Sequence, residues 1–199
     1  MNLDRVLSFT KMLQEFQQVN RVIRVPGTPD RWENDVEHSY TLAMLGWYLV
    51  TSEKLNLDAS LVLKYGMIHD LVEVYAGDTY IYSTNPDDHA TKHEREARAA
   101  EKLKDLFPEF GDLHEAIETY EKREDAESRF VYALDKLQPV LHIYLDNGGT
   151  WKEMGITLAM AIENKTAKVA VSPEVEACFN DLLVLLRERQ EELFGSVTA

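Results

Sequence analysis

The chain has 199 residues, 45% of them apolar and 28% charged, which fits one globular domain spanning 1–199 with a sizeable buried core. Thirty-five acidic against twenty-one basic residues leave a formal charge of −14, and long-range repulsion excludes a nucleic-acid polymer or an anionic membrane as partner. Cys178, the single cysteine, can form no intrachain disulfide, and neither a signal-like N-terminus nor a bilayer-length apolar run is present, so the cytoplasm is the expected compartment.

Apolar residues recur at helical rather than strand spacing almost throughout. Val6, Phe9, Leu13 and Phe16 predict a first helix, and Pro26-Gly27-Thr28-Pro29-Asp30 separates it from a second that carries Leu42, Leu45 and Leu49. Leu61, Val62 and Tyr65 mark a third, and Gly77 to Asp88 reads as a long loop. A charged helix from His89 to Leu106 ends at Phe107-Pro108. Helices follow over 113–122, over 127–145 with Pro139 expected to kink it, and over 151–169; Asn147-Gly148-Gly149 stops the middle one. Ser172-Pro173 reads as an N-cap and first helical position, starting a terminal helix that runs to about Leu193, where Cys178 is expected to be inert packing. The expected fold class is all-α, a single bundle of about seven helices.

Four polar residues fall on apolar stripes. His38 shares a face with Leu42, Leu45 and Leu49, His69 with Val62 and Tyr65, and Asp70 with Leu63 and Met67. Asp135 lies just after the apolar run Phe130-Val131-Tyr132-Ala133-Leu134, where an unpaired buried carboxylate is costly and needs a cation. A salt bridge to Arg129 or Lys136 is the simplest alternative, but both sit on different helix faces and are expected to reach it poorly. Two imidazoles and two carboxylates from three helices suit one divalent first-row metal ion such as Mn, Co, Fe or Zn, with positions left for water.

The order His38, then His69-Asp70, then Asp135 resembles the H…HD…D signature of the HD superfamily of metal-dependent phosphohydrolases. The block Arg31-Trp32-Glu33-Asn34-Asp35-Val36-Glu37-His38-Ser39 is similar to the R-x-E-N-D-x-E-H-S block of its small YfbR-like 5′-deoxynucleotidases. Their HD-x-x-E-x-x-x-G-D block resembles His69 to Asp78, and their third block resembles Ala133-Leu134-Asp135-Lys136-Leu137-Gln138. The resemblance covers about residues 5 to 165. It implies hydrolysis of a small phosphate ester, such as a nucleoside 5′-monophosphate, by metal-activated water.

Glu73, four residues after His69, is assigned by spacing and by the family's motif to positioning or deprotonating that water. The resemblance puts Asp78 beside the leaving oxygen as general acid or substrate contact; an ordinary Gly-Asp turn is the alternative. Arg31 or Arg21 is expected to clamp the phosphate, unless Arg31 instead pairs with Glu33 or Glu37. Where the deoxynucleotidases follow their Asn-Arg pair with a sugar-site Trp, Val22 follows Asn20-Arg21 here, so weaker deoxyribose selectivity is expected unless Trp32 replaces that wall. A binuclear oxygenase, using extra histidines such as His89, His93 or His114, and a non-catalytic module binding a nucleotide or partner are the competing readings; these histidines are expected at the surface. Homodimerisation is common in the family, and Trp47, Tyr48 and Trp151 offer aromatic area for an interface or a core.

Overall fold

Local signals set the element boundaries in the computed structural model, which describes residues 1–195. Helix α1 (Leu3–Phe16) starts where the Asn2 side chain accepts from the Arg5 amide. The next segment is an antiparallel hairpin, β1 (Asn20–Val25) and β2 (Thr28–Asn34), paired Asn20 to Asn34 and Arg24 to Trp32. The expectation of a simple break is therefore corrected. Pro26-Gly27 is the pair favoured at the centre of a tight turn, Gly27 takes φ +72°, and the β-branched residues Val22, Ile23 and Val25 suit a strand.

Strand β2 runs straight into α2 (Asp35–Ser52). Asn34 and Glu37 close a reciprocal capping box at the junction, so the start of α2 and the phase of His38 are fixed together. Helix α3 (Ala59–Ile68) ends before the HD pair, and α4 (Glu73–Ala76) follows a turn tightened by bonds from Leu71 to Ile68 and from Glu73 to Asp70. The remaining helices are α5 (Pro86–Ala90), α6 (Lys92–Leu106), α7 (Gly111–Lys122), α8 (Ala126–Leu145), α9 (Gly149–Met154), α10 (Leu158–Val169), α11 (Pro173–Glu188) and α12 (Gln190–Phe194).

Three expected single helices are split. The helix expected from His89 is two, α5 and α6, meeting at Thr91. Gly155, at φ +65°, and the Thr157 cap on the Met160 amide separate α9 from α10. Arg189 separates α11 from α12. Ser172 holds the position before Pro173, but its hydroxyl donates to the Glu174 carboxylate instead of capping the helix. Cys178 lies exposed on α11 and is not packed inside.

Helix α8 is the axis of the molecule. Its Phe130, Val131, Leu134 and Leu137 are at most 1% exposed, in a core shared with Leu42 of α2, Val62 and Tyr65 of α3, and Phe179 and Leu186 of α11. A second apolar cluster joins Met12 and Phe16 of α1 to Leu71, Val72, Leu103 and Phe107. The turn between α3 and α4 lies at the seam: Tyr65 before it packs in the first cluster, and Leu71 and Val72 within it pack in the second. The HD pair is thereby held from both sides. Among the described residues, no helix is long and apolar enough to cross a membrane.

Candidate metal centre

His38 and His69 enter from α2 and from the end of α3, and both imidazoles are buried. His69 Nδ1–H donates to the Gly66 carbonyl at 3.0 Å, and His38 Nδ1–H donates to Gln138 Oε1 at 3.1 Å. Each bond leaves the lone pair of Nε2 pointing away from its acceptor, the tautomer a metal-bound histidine needs. His38 Nε2 lies 3.0 Å from Asp135 Oδ1, and His69 Nε2 lies 3.0 Å from Asp70 Oδ2. The crossed distances, His38 to Asp70 and His69 to Asp135, are both 3.8 Å.

One atom from each of these four residues falls within 4.8 Å of the others. Donors held about 2.1 Å from one ion sit ~3 Å apart as neighbours and ~4.2 Å apart when opposite, so the spacing fits a shared divalent cation. His69 Nε2 is buried without a hydrogen-bond partner, because its contact to Asp70 is close but misaligned. A buried acceptor without a donor fits a role as a metal ligand. The N/O donor set, with two carboxylates and no thiolate, suits a first-row divalent ion.

Asp135 is held differently from expectation. Lys136 Nζ reaches its Oδ2 at 2.5 Å, although the two residues leave the helix on different faces. A lysine stem is long and flexible enough to fold back over its neighbour, so helix phase alone does not exclude the contact. Burial pushes the Asp135 carboxyl up, but Lys136 and the two imidazoles outweigh it and hold the group well below the usual carboxylate range. Pro139, four residues on, lacks the amide that would bond the Asp135 carbonyl, yet α8 runs as one helix from Ala126 to Leu145.

Arg21 comes in from β1. Its Nη1 sits 2.7 Å from Asp70 Oδ2 and 3.4 Å from Asp35 Oδ1, and its Nε is 3.7 Å from Glu33. Burial raises the Asp70 carboxyl, yet His69 and Arg21 pull it far below its ordinary value. Glu73 is buried beside Asp70 and Asp35, with Lys92 Nζ 3.5 Å from its Oε1. Burial first, then Asp70, Asp78 and Asp35, push its carboxyl well up. Glu73 thus adjoins the cluster through a broken helix, where i to i+3 bonds replace the continuous turn that the four-residue spacing suggested.

Asp78 follows Gly77, whose φ of +75° ends α4, and it lines a cavity that opens from Asp135. The loop behind it is tied down by Arg95, which donates to the Ala76 carbonyl and to Thr79 Oγ1. The cavity is walled by Val22, Tyr80, Tyr82 and Trp151, with Lys136 and Lys165 also on its lining.

Arg31 is elsewhere. Its guanidinium grips both oxygens of Glu37 at 2.6 and 2.8 Å, its side chain is half-exposed, and it does not line the cavity. Trp32 stacks under the Arg24 guanidinium at 3.4 Å and leaves Val22 as the wall. His89 and His93 are exposed as expected, whereas His114 is half-buried and donates to the Phe107 carbonyl; none of the three joins the cluster. Trp151 belongs to the core, stacked on Phe194.

Sequence reasoning missed Glu33, Asp35 and Lys165. The first two lie inside the motif block that ends in His38, and their dense charge just before a core histidine was the available signal. Lys165 sits among the apolar residues of α10, four after Ala161, the same kind of misplacement that marked Asp135.

A family profile for the HD domain matches residues 13–176. The human 5′-deoxynucleotidase HDDC2 is 29% identical over 138 residues, 68% of this chain and 65% of that protein, and the Danio rerio form is 24% identical over 144 residues. The chain thus spans somewhat less than two thirds of the human relative's length. The crystal structure of a predicted metal-dependent phosphohydrolase from Magnetospirillum magnetotacticum MS-1 superposes with a TM-score of 0.78 and 31% identity, covering 96% of this chain and 95% of that one. A conserved hypothetical protein from Pyrococcus furiosus shares the fold at TM-score 0.59 and 22% identity, covering 94% and 99%. With His38, the adjacent His69-Asp70 and Asp135 gathered around one point in a helical bundle, and a family match over most of its length, the chain belongs to the HD-domain family.

Proposed function

We propose that this protein is a divalent-metal-dependent phosphohydrolase that releases phosphate from nucleoside 5′-monophosphates. The observation that carries this reading is the convergence of two buried imidazole nitrogens and two carboxylates beside a cavity that Asp135 lines together with Asp78 and Arg21. His38, His69, Asp70 and Asp135 hold the ion, which when bound supplies a Lewis acid for a phosphoryl oxygen and lowers the pKa of water. Glu73, beside the cluster and with its carboxyl pushed up by burial and by Asp70, Asp78 and Asp35, orients the attacking water and takes its proton. Asp78, whose carboxyl burial also raises, donates a proton to the leaving oxygen. Arg21 orients the phosphate; Arg31, committed to Glu37, takes no part.

The apolar and aromatic walls fit a sugar and base, and Val22 gives less lateral contact than an indole would. A screen of Mn, Co, Fe and Zn against matched ribo- and deoxyribonucleoside 5′-monophosphates, with a generic phosphatase substrate as control, tests the reading. Phosphate release with one ion per chain and weak ribose discrimination is the expected result. Absence of release with every metal overturns the activity, and strict refusal of the ribose form overturns the role given to Val22. The position of His89, His93 and His114 outside the cluster disfavours a binuclear oxygenase. We also infer a homodimer in solution, built on the exposed face of α2.

A further inference from the structure

Three cations line the cavity, Arg21, Lys136 and Lys165. Arg21 is engaged by Asp70 at 2.7 Å and Lys136 by Asp135 at 2.5 Å. Lys165, on α10, is 5% exposed, and no carboxylate among the described residues lies within 4 Å of its ammonium. A buried ammonium without a counter-charge is costly and shifts toward neutrality. Burial first, and then repulsion from Lys136, bring this one down to about 7. Ala161, one turn earlier on α10, lines the same cavity.

We propose that Lys165 is a substrate-binding residue whose ammonium holds an anionic oxygen of the phosphoryl group entering beside Asp135. An anion there supplies a counter-charge closer than Asp135 does and sits between two lysines that otherwise repel, which offsets the cost of the buried ammonium. The assignment rests on the phosphohydrolase reading for its substrate, but the anion site can be tested without turnover.

Inorganic phosphate is titrated calorimetrically into metal-loaded wild-type protein and Lys165→Met, whose side chain has similar length and no charge. The expected result is an unchanged metal content, a melting temperature equal to or above wild type, and phosphate binding weakened by about 10- to 100-fold, the loss typical of one hydrogen bond to a charged group. Lys165→Arg should recover most of that affinity. With substrate, Lys165→Met should raise KM more than it lowers kcat. As a check that needs no variant, amine acylation of wild-type Lys165, read by peptide mass spectrometry, should fall several-fold when phosphate is added, while exposed Lys54 is unaffected.

Equal phosphate affinity in wild type and Lys165→Met, or Lys165 acylation indifferent to phosphate, overturns the proposal. If the wild type binds phosphate through Lys165 but hydrolyses no monoester, the anion site stands and the activity falls. If it hydrolyses monoesters with phosphate affinity indifferent to Lys165, the reverse holds.

Discussion

Arg21 and Arg31 illustrate how the same side chain takes different roles ten residues apart. Arg21 is enclosed by Glu33, Asp35 and Asp70, so Arg21→Ala leaves two buried carboxylates and the partly buried Asp70 without their shared cation. Breaking such a buried pair costs about 3–5 kcal/mol, measurable as a fall in urea unfolding free energy. Arg31→Ala removes a half-exposed pair with Glu37, which is worth about 0–1 kcal/mol, and should leave KM and kcat unchanged. Changed kinetics in that variant would return Arg31 to the site. At the cluster, His69→Ala deletes a nitrogen with no other partner, so metal content by mass spectrometry should fall with activity while the fold persists. A retained ion would remove His69 from the ligand set. Glu73→Gln keeps the ion but should cut turnover by about 10²- to 10⁴-fold, as expected of a positioned acid–base group. Wild-type turnover would exclude it. The four ligand candidates were legible because each broke an apolar stripe; Lys136 and Asp35 were not, since helical phase predicts the direction of a Cβ but not where a long side chain ends or what a hairpin folds over it.

The elements that carry these residues differ in how plainly the sequence announced them. Long helices such as α2 and α8 followed from apolar periodicity, whereas the hairpin of β1 and β2 did not, because Arg21 and Arg24 interrupt the alternation of a half-buried strand. Its role is positional: β1 brings Arg21 to Asp70, and β2 delivers Asn34 to cap α2 just ahead of His38. The gap between α3 and α4 was equally hidden, since it contains neither Gly nor Pro and is stabilised by burial of Leu71 and Val72. α2 and α3 pass close together at Gly66, where an added Cβ would meet the Ala43 Cα at 2.7 Å. Gly66→Ala should therefore push apart the helices that carry His38 and His69, destabilising the fold by about 1–3 kcal/mol as overpacked cores do. The same shift moves the Gly66 carbonyl that orients His69, so metal affinity should fall together with stability. A destabilised variant with unchanged affinity for the ion would show that the two helices do not set the ligand spacing.

Across the whole molecule, the face of α2 opposite His38 bears Tyr40, Met44, Trp47 and Tyr48, all 40% or more exposed, and Met67 of α3 is also exposed. Positions 40, 44, 47 and 48 form one helical stripe, a contiguous apolar surface of the kind that seeks a partner. A second copy is the proposed occupant, in a two-fold pairing that places the same stripe on both sides. Light scattering should give a dimer for the wild type and a monomer for Trp47→Glu combined with Tyr48→Glu, with metal content unaffected because the substituted face points away from the cluster. Charge sets the direction of a second dependence: each copy carries −14, so association opposes electrostatic repulsion that added salt screens over about 8–10 Å. Dimerisation should therefore strengthen between low and physiological ionic strength, opposite to an interface held by ion pairs. A wild-type monomer at every concentration, or a dimer that dissociates as salt is added, would refute an apolar interface on α2.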